Sequence, residues 1–130
     1  MNAVMTRIEH SPNHNANRTD TAEAGLVMML AILVGDFYKV APVALLDVPQ
    51  PGEDRTSTRS RTRLKARTIV MSLLVTAMGW TQTRAAVAMG CVDRRAASEA
   101  VRRAADLRDQ DAGLDALMDR IERCLSEARP

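Results

Sequence analysis

The stretch Thr81-Gln-Thr-Arg-Ala-Ala-Val-Ala-Met-Gly-Cys-Val-Asp-Arg-Arg-Ala-Ala-Ser-Glu-Ala-Val-Arg-Arg-Ala-Ala105 decides the fold. Thr81 offers a hydroxyl to the free amides of a first helix that runs to Met89, and Gly90 can take the positive φ that ends it. Asp93 then opens a second helix, because its carboxylate accepts from first-turn amides and suits the positive end of the helix dipole. In that helix Ala97, Ala100, Val101 and Ala104 fall at i, i+3, i+4 and i+7, which predicts a single buried stripe. Arg95, Ser98, Glu99 and Arg102 fall on the opposite side. Such a helix can pack its smooth inner face on a scaffold while the outer face meets base edges and phosphates in a major groove.

Upstream, Ala66, Ile69, Val70, Leu73, Leu74, Ala77 and Met78 predict a scaffold helix from about 63 to 78, ended by Gly79. Trp80 then stands ready to fold over the next helix as a staple. Further upstream, Asp20 and Glu23 have spacing related to a capping box, and Leu26, Leu30, Leu33, Val34 and Phe37 follow at helical spacing, predicting a first helix over 21–38. Pro42 suits the first turn of a short helix to Asp47, which Val48-Pro-Gln-Pro-Gly52 stops. Downstream, Asp106, Asp109, Gln110, Asp111 and Gly113 predict a break, and Leu114, Leu117, Met118, Ile121 and Leu125 a last helix to about 128. Residues 1–19, rich in Asn, His and Thr, read as a disordered tail before a single domain over 20–130. His10 and His14 in that tail read as solvated rather than as metal ligands, and no metal or cofactor is expected.

Between the short helix and the scaffold helix, Arg55, Arg59, Arg61, Arg63 and Lys65 are spread through Thr and Ser. Composition alone reads this run as a mobile loop: either a solvated linker or a segment that orders on phosphates. The net charge of +2 is modest, so a case for nucleic acid rests on where charge sits. Aromatic residues at 2% argue against a single-strand binder that stacks bases. Cys91 and Cys124 lack zinc-site spacing and are expected to be reduced thiols, Cys124 buried beside the last apolar stripe. The apolar run Leu26 to Val34 is far short of the roughly 20 residues that span a bilayer and is expected in the core. With no secretory leader read at the start of the chain, a cytoplasmic, nucleoid-associated location is expected.

Ala66-Arg67-Thr68-Ile69-Val70-Met71-Ser72-Leu73 and Met89-Gly90-Cys91-Val92-Asp93-Arg94-Arg95-Ala96-Ala97 resemble two segments of one family. This is the C-terminal DNA-binding domain of the bacterial replication initiator DnaA, with its Ala-Arg-x-Ile-Ala-Met-x-Leu helix and Phe-Gly-Gly-Arg-Asp-His-Thr-Thr-Val signature. The resemblance spans roughly residues 22–125. It implies an all-α fold, a small helical bundle with a helix-turn-helix, similar to the Trp repressor. Stand-alone domains of this type occur among transcription activators of alphaproteobacterial gene transfer agents, which this chain also resembles. The family pattern implies that the basic loop lies along phosphates and puts an arginine in the minor groove, with Arg59 and Arg61 the best positional matches and Arg63 and Lys65 beside them. Arg67 matches the Arg of the family's Ala-Arg pair and is expected on a phosphate, or else in a surface ion pair. Asp93, Arg94, Arg95, Ser98 and Arg102 are the expected contacts of the recognition helix.

Only Asp93 keeps its identity within the Arg-Asp-His-Thr-Thr core of the signature. Arg94 and Arg95 offer forks suited to the O6 and N7 of guanine, so a different major-groove sequence is expected to be read. No Gly-x-x-x-x-Gly-Lys-Ser/Thr loop is present, and no catalytic constellation stands out, so the chain is not expected to be an enzyme. The expected function is sequence-specific binding of double-stranded DNA by a transcription regulator, with RNA polymerase or a second transcription factor as a further partner and no membrane. Rival readings are a phage- or plasmid-type replication accessory factor and a helical interaction adaptor.

Overall fold

A computed structural model of the chain describes the backbone of residues 10–50 and 52–128, with side chains from Thr21 onward. Its elements are α1 (His10–Tyr38), α2 (Pro42–Leu46), α3 (Thr58–Thr76), α4 (Gln82–Ala88), α5 (Arg95–Gln110) and α6 (Ala112–Ala128). The fold is all-α, a small helical bundle with no strand among the described residues. Helix α3 is the axis and touches each of the other five, α5 and α1 most extensively. Its Ala66, Ile69, Val70, Leu73 and Leu74 are fully enclosed. The bundle closes around them through Leu30 and Val34 of α1, Leu45 of α2, Ala85 and Ala86 of α4, Ala97 of α5, and Leu114 of α6.

Two helices begin earlier than expected. Helix α3 starts at Thr58 because the Ser57 hydroxyl accepts from the amide of Ser60 at 3.2 Å, so most of the presumed basic loop is helical. Helix α1 starts at His10, about eleven residues before the expected position. Once its apolar turns are fixed on α3, each further residue extends an existing helix rather than nucleating one, so a polar composition is no bar. Residues 1–9 of the expected tail, and the side chains of His10 and His14, lie outside the described residues. By length and composition, Thr21–Tyr38 is apolar enough to cross a membrane, with a mean hydropathy of 1.5. The expected membrane exclusion therefore does not follow from run length. Only 28% of that window is buried, Val27, Leu30, Ala31 and Val34 of it lying in the core.

The stretch from Thr81 to Ala105 folds as two helices joined by a turn, the second beginning at Arg95 rather than Asp93 and leaving Val101 half-buried. Thr81 Oγ1 accepts from the amide of Arg84 at 3.1 Å, and Gly90 adopts φ 77°. Asp93 Oδ1 accepts from the amide of Arg95 at 2.9 Å, and Ala97, Ala100 and Ala104 are buried. Trp80 is buried under the guanidinium of Arg84, 4.1 Å from its ring centre. The break before α6 is Asp111 alone. Its carboxylate accepts from the amide of Leu114 at 3.1 Å, so Gly113 lies inside α6 rather than in a loop. Arg108 links the two helices through Asp115 at 2.7 Å and Glu122 at 3.0 Å. Cys124 is exposed, not buried, because Met118 and Ile121 face the core and leave it to one side.

Among the described residues, two polar side chains are buried in this bundle, Ser72 and Arg67, and only the second is charged. Arg67 is only 5% exposed and donates to the carbonyls of Leu45 (3.0 Å), Asp47 (2.9 Å) and Met89 (2.6 Å). Burial pulls its guanidinium below the usual arginine range, and the three acceptors hold its charge in place. Arg67→Met keeps the apolar stem and removes the donors. It is expected to lower unfolding free energy by about 3 kcal/mol, since charge-assisted bonds contribute about 1.5–3 kcal/mol each and the carbonyls lose partners. Urea unfolding followed by circular dichroism measures this, and a loss below about 1 kcal/mol would mean that water replaces the guanidinium.

Candidate nucleic-acid interface

Helix α3 carries Arg59, Arg61, Arg63 and Lys65 in its first two turns and no acidic residue in the first. This opposes the helix dipole, whose positive end repels cations, and places like charges at i and i+4 in the pairs Arg59/Arg63 and Arg61/Lys65. The four side chains divide by direction. Arg59 and Arg63 face a hollow shared with Asp47, Val48 and Glu53. Arg61 and Lys65 face a second hollow of about 360 Å³, where Arg103 of α5 joins them beside Thr68 and Asp106.

Two of the expected phosphate contacts are already committed inside the protein. Arg67 is the buried link described above and reaches neither phosphate nor surface ion pair. Arg63, with its side chain 14% exposed, donates to the carbonyls of Ala44 (3.2 Å) and Asp47 (2.9 Å) and pairs with Glu53. That bond, with the amide of Gln50, holds the Glu53 carboxyl below the usual range. Both are corrections with one cause. Arg59, Arg63 and Arg67 are spaced i, i+4, i+8 along the side of α3 that meets the C-terminal end of α2, whose unpaired carbonyls attract donors.

Apart from Arg67, the cationic side chains without an ion pair among the described residues are Lys39, Arg55, Arg59, Arg61, Lys65, Arg94 and Arg120. Four of these seven lie within residues 55–65, and Arg94 lies at the start of α5. Arg95 is 87% exposed with a loose 3.9 Å contact to Asp93, and Ser98 follows it on the open face. Asp93 is exposed just before α5, its carboxylate accepting from the amide of Arg95 at 2.9 Å. Arg102 is exposed but pinned to Glu99 at 2.6 Å, a bond that raises its own affinity for the proton and lowers that of Glu99. Arg103 was not among the expected contacts. It is turned about 100° around α5 from Arg102, toward α3, which only the packing of the two helices reveals.

The chain matches no family model, no curated protein and no solved structure.

The unpaired start of α3 generates a test that couples stability to binding. Arg61→Glu removes a cation from the helix N-terminus and converts the contact with Lys65 from repulsive to attractive. The melting temperature of the free protein is expected to rise by about 2–4 °C. Affinity for duplex DNA is expected to fall about tenfold or more at low salt. Calorimetry and a fluorescence anisotropy titration measure the two changes, and unaltered affinity would remove Arg61 from the interface.

Proposed function

We propose that the protein binds double-stranded DNA as a stand-alone helix-turn-helix domain of the DnaA C-terminal type and regulates transcription with other proteins at promoters. The observation that carries this reading is the cluster of unneutralised cations on the first turns of α3 beside the exposed basic start of α5. Against the helix dipole and against one another, these charges destabilise the free protein, and a polyanion is the ligand that offsets that cost. Helix α5 lies in the major groove with Arg94, Arg95 and Ser98 at base edges, while Arg55, Arg59, Arg61 and Lys65 follow phosphates or the adjoining minor groove. Arg103 adds a phosphate contact between the two sets. No catalytic step and no cofactor belong to this reading, which places the protein with the nucleoid in the cytoplasm.

The five unpaired cations Arg55, Arg59, Arg61, Lys65 and Arg94 set the expected salt response. The slope of log affinity against log salt is expected at about −4 to −5, from about −0.9 per phosphate. A flat response would sink the proposal. Lys65→Ala is expected to weaken all duplexes alike, whereas Arg95→Ala relaxes preference at one or two base pairs by about 1–3 kcal/mol. Selection from random duplexes distinguishes the two, and an unchanged motif with Arg95→Ala would mean that α5 is not the reader. Since Val92, Arg94, Arg95 and Ala96 replace the family's Arg, His and two Thr, an origin-box duplex is expected to gain no more than about tenfold over a scrambled one, roughly 1.4 kcal/mol. A larger preference in direct competition would show that these substitutions leave the family's specificity intact.

A further inference from the structure

The outer face of α1 has the wrong chemistry for a surface helix. Opposite its core stripe lie Ala22, Gly25, Met29, Ile32 and Asp36, flanked by Met28 and Leu33. Met28 and Met29 are each 37% exposed, Leu33 40% and Ile32 51%. From Thr21 to Gly35 the only charged residue is Glu23, which is turned aside to pair with Arg84. A solvent-facing helix stripe is ordinarily polar or charged, and this one is uncharged for four turns.

We infer that this face joins two copies of the chain through α1–α1 packing about a two-fold axis. The absence of charge selects the occupant. A nucleic acid needs cations, and none lies on this helix between Thr21 and Tyr38. An interfacial membrane helix likewise uses Lys and Arg at its edges, whereas the edges here carry Glu23 and Asp36. The apolar stripe is complementary to itself, and Gly25, where an added side-chain carbon would meet nothing within 4 Å, lets a second helix approach closely. Met28, Met29, Ile32 and Leu33 expose on the order of 300 Å² per copy, and with their small neighbours a pair buries on the order of 1,000 Å² at most, the size of a weak, reversible interface. Helices α1 and α5 both pack on α3 and have no substantial contact with each other, so the pairing leaves both basic faces free. A dimer would then read a site with two-fold symmetry, a consequence that rests on the DNA-binding proposal although the pairing does not.

The test needs no DNA. Sedimentation equilibrium of the full chain at about 100 μM, above the micromolar range that interfaces of this size reach, is expected to give twice the chain mass. Met29→Glu with Ile32→Glu is expected to give a monomer with unchanged helix content, because both side chains face away from the core. Single cysteines placed at positions 25, 29, 32 and 36, with Cys91→Ser and Cys124→Ser, are expected to cross-link between copies, while one placed at exposed position 98 is not. A monomeric wild type overturns the inference, as does a dimer that survives the double substitution. Flotation of a monomeric wild type with neutral phosphatidylcholine vesicles overturns it in favour of a lipid surface. A failed DNA titration with a dimeric protein would leave the pairing standing.

Discussion

The bonds from Arg67 to the carbonyls of Leu45, Asp47 and Met89 hold the site in place. Helices α2 and α4 have five and seven residues, too short to persist alone in water. Each ends in carbonyls with no partner of its own, and each C-terminus carries partial negative charge. One guanidinium from the middle of α3 serves both ends, and Arg63, one turn earlier, serves the α2 end again. Met89 is also the last residue before the turn that leads into α5. The angle at which α5 leaves the scaffold therefore depends on a buried cation rather than on apolar packing alone.

That arrangement explains how α3 can carry a dense positive start without falling apart. Of its basic residues, the two that turn inward are satisfied by carbonyls and Glu53. The others, Arg59, Arg61 and Lys65, are exposed and make no ion pair among the described residues. The acidic residues nearest them are taken up elsewhere, Asp106 by Arg102 at 3.9 Å and Glu53 by Arg63, while Asp115 and Glu122 at the far end of the α5–α6 pair bind Arg108. A net charge of only +2 thus conceals a segregated surface. Segregation of this kind weakens the free protein slightly and concentrates its field where a polyanion would approach.

Much of the fold was legible because it rests on local rules. The cap at Thr81, the turn at Gly90 and the alanine stripe of α5 all follow from hydroxyl, glycine and periodicity, and they stand where the residues put them, whereas α5 begins two residues after Asp93. The start of α3 was not legible. Thr56, Ser57, Thr58 and Ser60 offer four hydroxyls within five residues, and which one caps depends on where Leu64 and Ala66 must land on the core. Arg63 and Arg67 were misread for a related reason. An arginine every fourth residue looks like a solvated stripe until the neighbour it faces is known to be a helix end. The exposure of Arg59, Arg61 and Lys65 and of the outer α5 face was therefore legible, whereas the inward turn of Arg63 and Arg67 and the place of Arg103 beside α3 required the packing.

A chain of close approaches carries the geometry from one end of the bundle to the other. A side-chain carbon on Gly35 would overlap the carbonyl oxygen of Val40, so the glycine lets the chain fold back after α1, with Lys39 at φ 61° and the amide of Val40 donating to the Gly35 carbonyl at 2.8 Å. That reversal sets α2 against α3 and brings the Leu45 carbonyl within reach of Arg67. At the other end, Gly90 needs its positive φ, and a side-chain carbon there would come within 2.5 Å of Val48 just after α2. The segment after α2 is thus pressed against the turn before α5 by the absence of one methyl group, and Arg67 ties together the carbonyls on either side of the contact. Two glycines and one buried arginine, none of them on the open basic face, therefore fix how α5 is set against the rest of the bundle.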